Sequence, residues 1–196
     1  MPIKPLVFSG ILATLLLLLA ACGTPSSSSA TATPSMAGMD HHASMSDTGD
    51  TPYDAQFIDG MIIHHEGAIT MAQQALEAAE RPEIRQLAQA ILRTQQAEIE
   101  QLRAWRTAWY PDLAPTSGTE MAMGPMSVAD GSTPFEQRFI EAMIPHHEGA
   151  LTMARDALQQ AEHHELHDLA QAIITAQEAE IGQMRQWLQE WYGISQ

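Results

Sequence analysis

The stretch FIDGMIIHHEGAITMA occupies Phe57 to Ala72, and FIEAMIPHHEGALTMA occupies Phe139 to Ala154. The offset between them holds well beyond these two strings. Leu87-Ala88-Gln89-Ala90-Ile91 returns as Leu169-Ala170-Gln171-Ala172-Ile173, Glu98-Ile99 as Glu180-Ile181, and Trp105 and Trp109 as Trp187 and Trp191. No insertion interrupts the match between residues 53–110 and 135–192. A self-match at constant offset marks a duplicated structural unit that buries its apolar face against its neighbour.

Each unit has the pattern of a helical hairpin. Phe57, Ile58, Met61, His65, Ala68, Ala72, Ala75, Leu76 and Ala79 follow the i, i+3/i+4, i+7 spacing of one helix face. Asp59, Glu66, Thr70, Gln73 and Glu77 fall on the opposite face, and Asp54 or Thr51 is expected to cap the helix start. Arg81-Pro82 marks a turn. A second stripe of Ile84, Leu87, Ala88, Ile91, Ile99, Leu102, Trp105 and Trp109 ends before Pro111. The second copy behaves alike, with Thr133 or Ser132 as cap and Pro134 in the first turn. Two hairpins with one apolar face each form an all-α four-helix bundle over residues 53–192. Its parts are repeat one (53–110), a linker (111–134) and repeat two (135–192). The linker is long enough to cross the whole bundle, as in ferritin-like topology; a loose loop on an up-down-up-down bundle is the alternative.

Residues 1–21 read as a lipoprotein signal peptide. Lys4 supplies a positive start, Ile11 to Leu19 an apolar core, and Leu19-Ala20-Ala21-Cys22-Gly23 a lipobox. Cys22, the single cysteine, is then the acylated first residue of a protein anchored to the outer side of a bacterial membrane, periplasmic or at the cell surface. Residues 22–52 are rich in Ser, Thr, Ala, Gly and Pro and read as a disordered tether. A formal net charge of -15 argues against nucleic acid as a partner and suits cations. No Gly-rich phosphate loop and no nucleophile–base pairing is recognisable.

The informative anomaly is polar residues where the core should be. At about 100° per residue, His65 sits at the centre of the first apolar face and His64 at its edge, with Met61 one turn earlier. Gln95 and Glu98 interrupt the second stripe. In an antiparallel hairpin turning near Arg81, position 64 lies level with position 98. His64, His65, Met61, Gln95, Glu98 and Leu102 therefore share one level of the core. Repeat two gives His146, His147, Met143, Gln177, Glu180 and Met184. A buried carboxylate costs several kcal/mol unless it is paired or binds a cation. Either each Glu pins a His architecturally, or the cluster holds a metal. Imidazole with thioether suits copper, Cu(I) in particular, ahead of zinc or iron. Adjacent histidines diverge by about 100° on a helix. The expectation is therefore that His65 and His147 point inward, while His64 and His146 reach a neighbouring helix or a more exposed site with Met71 and Met153.

Both copies resemble the bacterial family catalogued as domain of unknown function 305. The shared pattern is a Met-Ile-x-His-His-x-Gly-Ala-x-x-Met-Ala helix, then a Leu-Ala-x-x-Ile-x-x-x-Gln-x-x-Glu-Ile helix and a Trp. It falls on Met61 to Ala72 with Leu87 to Trp105, and on Met143 to Ala154 with Leu169 to Trp187. The resemblance implies a ferritin-like bundle outside the cytoplasm, with copper binding and copper tolerance among relatives. The comparison with di-iron proteins stops at shape. Those need Glu-x-x-His on the ligand helices, and here Gln101 and Gln183 follow Glu98 and Glu180 at that spacing.

Secondary ligand candidates lie outside the core. Met36, Met39, His41, His42 and Met45 stud the tether, and Met121, Met123 and Met126 the linker. His163 and His167 occur only in repeat two, one helical turn apart. The leading reading is a lipid-anchored, non-enzymatic protein that sequesters or relays copper, drawing on copper-donor or acceptor proteins. A structural or interaction module of the cell envelope is the first alternative, and a metal-dependent redox enzyme the second.

Overall fold

A computed structural model describes residues 51–116 and 123–195. Four helices follow in order: α1 (Tyr53–Ala78), α2 (Pro82–Trp109), α3 (Phe135–Gln160) and α4 (His164–Tyr192). The fold is the expected all-α bundle of two helical hairpins, and the described residues contain no strand. None of these helices is long and apolar enough to cross a membrane. The signal peptide, Cys22, the tether candidates (Met36, Met39, His41, His42, Met45) and Met121 lie outside the described residues.

Helix α2 packs chiefly on α1 and α4 on α3, and the hairpins meet along α1 and α3. Paired end contacts fix their relative direction. The Asp54 carboxylate, at the start of α1, accepts the backbone N–H groups of Glu162 and His163 at 2.9 Å each, at the α3–α4 turn. The Glu136 carboxylate, at the start of α3, accepts those of Glu80 and Arg81 at the α1–α2 turn, at 2.6 and 3.2 Å. Helices α1 and α3 are therefore antiparallel, and a pseudo-two-fold axis relates the copies.

The expected caps are not used. Pro52 and Pro134 occupy the N-cap positions of α1 and α3 without side-chain hydrogen bonds. Asp54 and Glu136 each serve the turn of the other hairpin instead, because that turn exposes N–H groups at the start of α4 or α2. Burial alone would raise the Glu136 pKa, but its backbone N–H bonds outweigh this and hold it below the usual value. Asp54 is 1% exposed. Asp54→Ala removes a buried charged acceptor from two part-buried backbone donors, so it should cost about 2 kcal/mol, read as a lower urea midpoint with unchanged m-value. A loss under about 0.5 kcal/mol would mean that the end contact adds nothing.

The direction of the helices settles the linker. With α1 and α3 antiparallel, α2 and α3 run the same way, so the linker must cross from one end of the bundle to the other. Its contacts trace that path along α1 and α3. Thr116 N–H donates to Asp59 Oδ2 (2.8 Å), Val128 N–H to Gln74 Oε1 (2.8 Å), and Arg138 to the Ala129 carbonyl. Asp59, expected on the solvent face, is 7% exposed, and Arg106 Nε donates to its Oδ1 at 2.9 Å. The reason is the linker: Arg106 also donates to the Leu113 and Ala114 carbonyls, so the ion pair anchors the crossover where it leaves α2.

Candidate metal centre

The four motif histidines are all fully buried. Their divergence on α1 and α3 sends them to different neighbours. His65 turns to its own hairpin, where its Nε2 lies 2.7 Å from Glu98 Oε2 without an aligned hydrogen bond. His147 Nε2–H donates to Glu180 Oε2 at 2.7 Å. The two glutamates are each 21% exposed, so they sit at the edge of the core and not within it. A cleft of about 360 Å³ beside Trp105, Glu165 and Asp168 brings solvent to Glu98. The buried amide is the neighbouring one: Gln95 and Gln177 are 3% exposed, and their Oε1 atoms lack partners.

His64 and His146 turn the other way, to the seam between hairpins. Their rings stack across the pseudo-two-fold axis with centroids 3.8 Å apart and planes 28° apart. The expectation that they reach a neighbouring helix holds, but they are no more exposed than His65 and His147. None of their four ring nitrogens has an aligned hydrogen-bond partner. Burial lowers the His64 pKa to about 2, with the neighbouring histidines adding to the effect. Burial and then His147 lower that of His146 to about 4; the nearby Pro125 backbone partly offsets this without an aligned hydrogen bond. Both rings are therefore neutral at neutral pH, with lone pairs free.

The methionines sort across the repeats. Because α1 and α3 are antiparallel, Met71 joins Met143 and Met184 in one apolar cluster, toward the α1–α2 turn. Met61 joins Met153 and Leu102 in the other, toward the α3–α4 turn. Reading within one repeat placed Met61 level with Leu102 and Met143 level with Met184, as the clusters have them, and did not foresee that Met153 joins the first pair and Met71 the second. The Leu102-to-Met184 difference makes one side of the histidine pair richer in sulfur. Among the described residues, no three His, Cys, Asp or Glu side chains are placed to hold a metal ion together. An ion at the histidine pair that takes further ligands would take them from sulfur, backbone or water.

The structure takes His163 and His167 elsewhere. His163 stacks on Trp109 at 3.8 Å, and its Nδ1 lies 2.6 Å from Asp54 Oδ2. His167 Nε2 donates to the Ala161 carbonyl at 2.8 Å. Arg81 over Trp191 and Arg85 on the Ala79 carbonyl fill the same places in repeat one, so the two histidines replace structural arginines. Sequence reasoning also missed Asp54 and Glu136 as end contacts. An acidic residue at the matching position of both copies was the available signal.

The family model for Domain of unknown function (DUF305) matches residues 16–106 and again 111–194. No curated protein matches the chain. Among solved structures, CopM in the Cu(I)-bound form is 38% identical with a TM-score of 0.62, covering 71% of this chain and 98% of that one. CopM in the Cu(II)-bound form is 36% identical with a TM-score of 0.61, covering 71% and 97%. A DUF305 fragment from Deinococcus radiodurans is 28% identical with a TM-score of 0.59, covering 71% and 97%. Two family matches, over residues 16–106 and 111–194, account for most of the chain, which belongs to the DUF305 family.

Proposed function

We propose that this chain is a copper-binding protein that sequesters or relays Cu(I), held outside the cytoplasm of a bacterium by acylated Cys22, and that it performs no turnover. The observation that carries the proposal is the His64–His146 pair: two fully buried, neutral imidazoles whose nitrogens have no aligned partners. An orphaned buried donor or acceptor calls for an explanation, and an ion is one. Copper binds neutral imidazole, and a setting of methionines favours its cuprous state. CopM, 38% identical over this domain, has been solved with Cu(I) and with silver, another soft monovalent ion. One histidine comes from each repeat, so the proposed core site is single and shared. His65 and His147 are assigned a supporting role, since each already faces a carboxylate.

The test is copper titration of the untagged chain and of a His64→Leu/His146→Leu variant, with helicity followed by circular dichroism. The variant is expected to lose the tightest equivalent of Cu(I) while keeping its helical signal. Unchanged stoichiometry and affinity in a folded variant would remove the core site from the proposal. They would favour the tether and linker candidates instead.

A further inference from the structure

Among the described residues, part of the crossover packs against the bundle beside the histidine pair. A Cβ on Gly67 would lie 2.6 Å from the Met126 sulfur and 3.1 Å from Cε1 of His146. The thioether and the imidazole thus press on the same bare patch of α1. Gly124 shows the complementary feature on the linker. Its φ is +61°, and a Cβ there would stand 2.8 Å from His146 Cα and 3.1 Å from the Pro145 carbonyl oxygen. The backbone contacts and positive φ at Gly124 require glycine there, whereas a Cβ at Gly67 would force the end of the Met126 side chain to shift. Gln74 secures the strap on its far side through both backbone groups of Val128.

Packing explains the two glycines but not the sulfur, because leucine would fill the same space. The burial pattern separates Met126 from the helix methionines. Met61, Met71, Met143, Met153 and Met184 are sealed in apolar clusters. Among the described residues, only Met123 and Met126 are partly exposed methionines. Met126 is therefore partly exposed and flanks the same point of α1 as the buried ring of His146, whose nitrogens have no aligned partners.

Resting on the copper reading above, we propose that Met126 of the crossover is the thioether ligand that completes the His64/His146 site and biases it toward Cu(I). A thioether is soft and uncharged, so it adds affinity for Cu(I) and little for Cu(II) or zinc. The helix methionines then line the surroundings of the site, and the linker supplies the sulfur.

The experiment compares the full chain with Met126→Leu, which preserves packing on Gly67, and with Met123→Leu as control. Cu(I) affinity is measured by competition with a chromophoric chelator, Cu(II) affinity separately, and the ligand atoms by X-ray absorption. Met126→Leu is expected to lower Cu(I) affinity by roughly tenfold or more, a scale typical of perturbed metal shells. It should also reduce sulfur scattering and leave Cu(II) binding within about twofold. Gly67→Ala, which displaces the sulfur, should reproduce the loss. Unchanged Cu(I) affinity and sulfur scattering in Met126→Leu would overturn the proposal. So would a loss in Met126→Leu combined with full retention in His64→Leu/His146→Leu, since sulfur would then act without the histidines. Absence of copper binding by the unsubstituted chain would overturn the copper reading itself.

Discussion

The metal-free protein should lose about 3 to 4 kcal/mol of stability between pH 7 and pH 5. His64 and His146 titrate near 6.5 when unfolded and at about 2 and about 4 when folded. Between those values the unfolded chain binds more protons than the folded one, so stability rises with pH. The contribution is complete above about pH 6.5 and is lost as the pH falls through the window below it. Each group contributes about 1.4 kcal/mol per pH unit there, which makes two groups over 1.5 units worth about 4 kcal/mol at most. Urea unfolding at several pH values in chelator measures this. The same series on His64→Leu/His146→Leu should be nearly flat between pH 7 and 5. Glu136, whose pKa is lowered from 4.5, acts in the same direction but only at lower pH. A slope that survives in the double variant would assign the acid sensitivity to other groups.

Copper should have an effect of similar size and opposite sign. An ion held by one histidine from each repeat ties the two hairpins together and binds only the folded chain. Free Cu(I) at about a thousand times its dissociation constant should stabilise the fold by about 4 kcal/mol through mass action. The gain should appear as a higher unfolding midpoint and vanish in His64→Leu/His146→Leu. It should weaken below about pH 4 as protons compete for His146. If copper binds with full stoichiometry yet leaves the midpoint unchanged, it occupies the linker or the tether, where binding does not join the hairpins.

The helices were legible because apolar spacing is a local property, and Pro82 and Pro111 punctuate it. The hairpins and the four-helix class followed from the repeat. The motif histidines were legible as anomalies on an apolar face, and the divergence of His64 from His65 followed from helix geometry alone. What the sequence could not carry was the relation between hairpins. That relation depends on Asp54 and Glu136 reaching turns more than fifty residues away along the chain. Without it, Met71 and Met153 were not seen to join the other repeat's methionines, Asp59 was assigned to solvent, and His163 looked like a ligand candidate. Each misplacement has the same origin, since each residue's neighbour is decided by the antiparallel seam or by the crossover that spans it.

The position of the His64–His146 stack on the pseudo-two-fold axis has a consequence for chains that carry one copy of the motif. Two such chains can form the same seam as an isologous dimer, in which each motif histidine at this position meets its own counterpart. A site of this kind would exist only above the dimer dissociation constant, so assembly and metal capture would be coupled and concentration-dependent. Fusing the copies removes that dependence. The crossover turns a second-order assembly into a first-order one, at the price of a segment that must span the bundle. It also frees the two halves from strict symmetry. Met126, which lies on one side of the axis only, is a residue that a symmetric dimer of single-motif chains has no linker to carry.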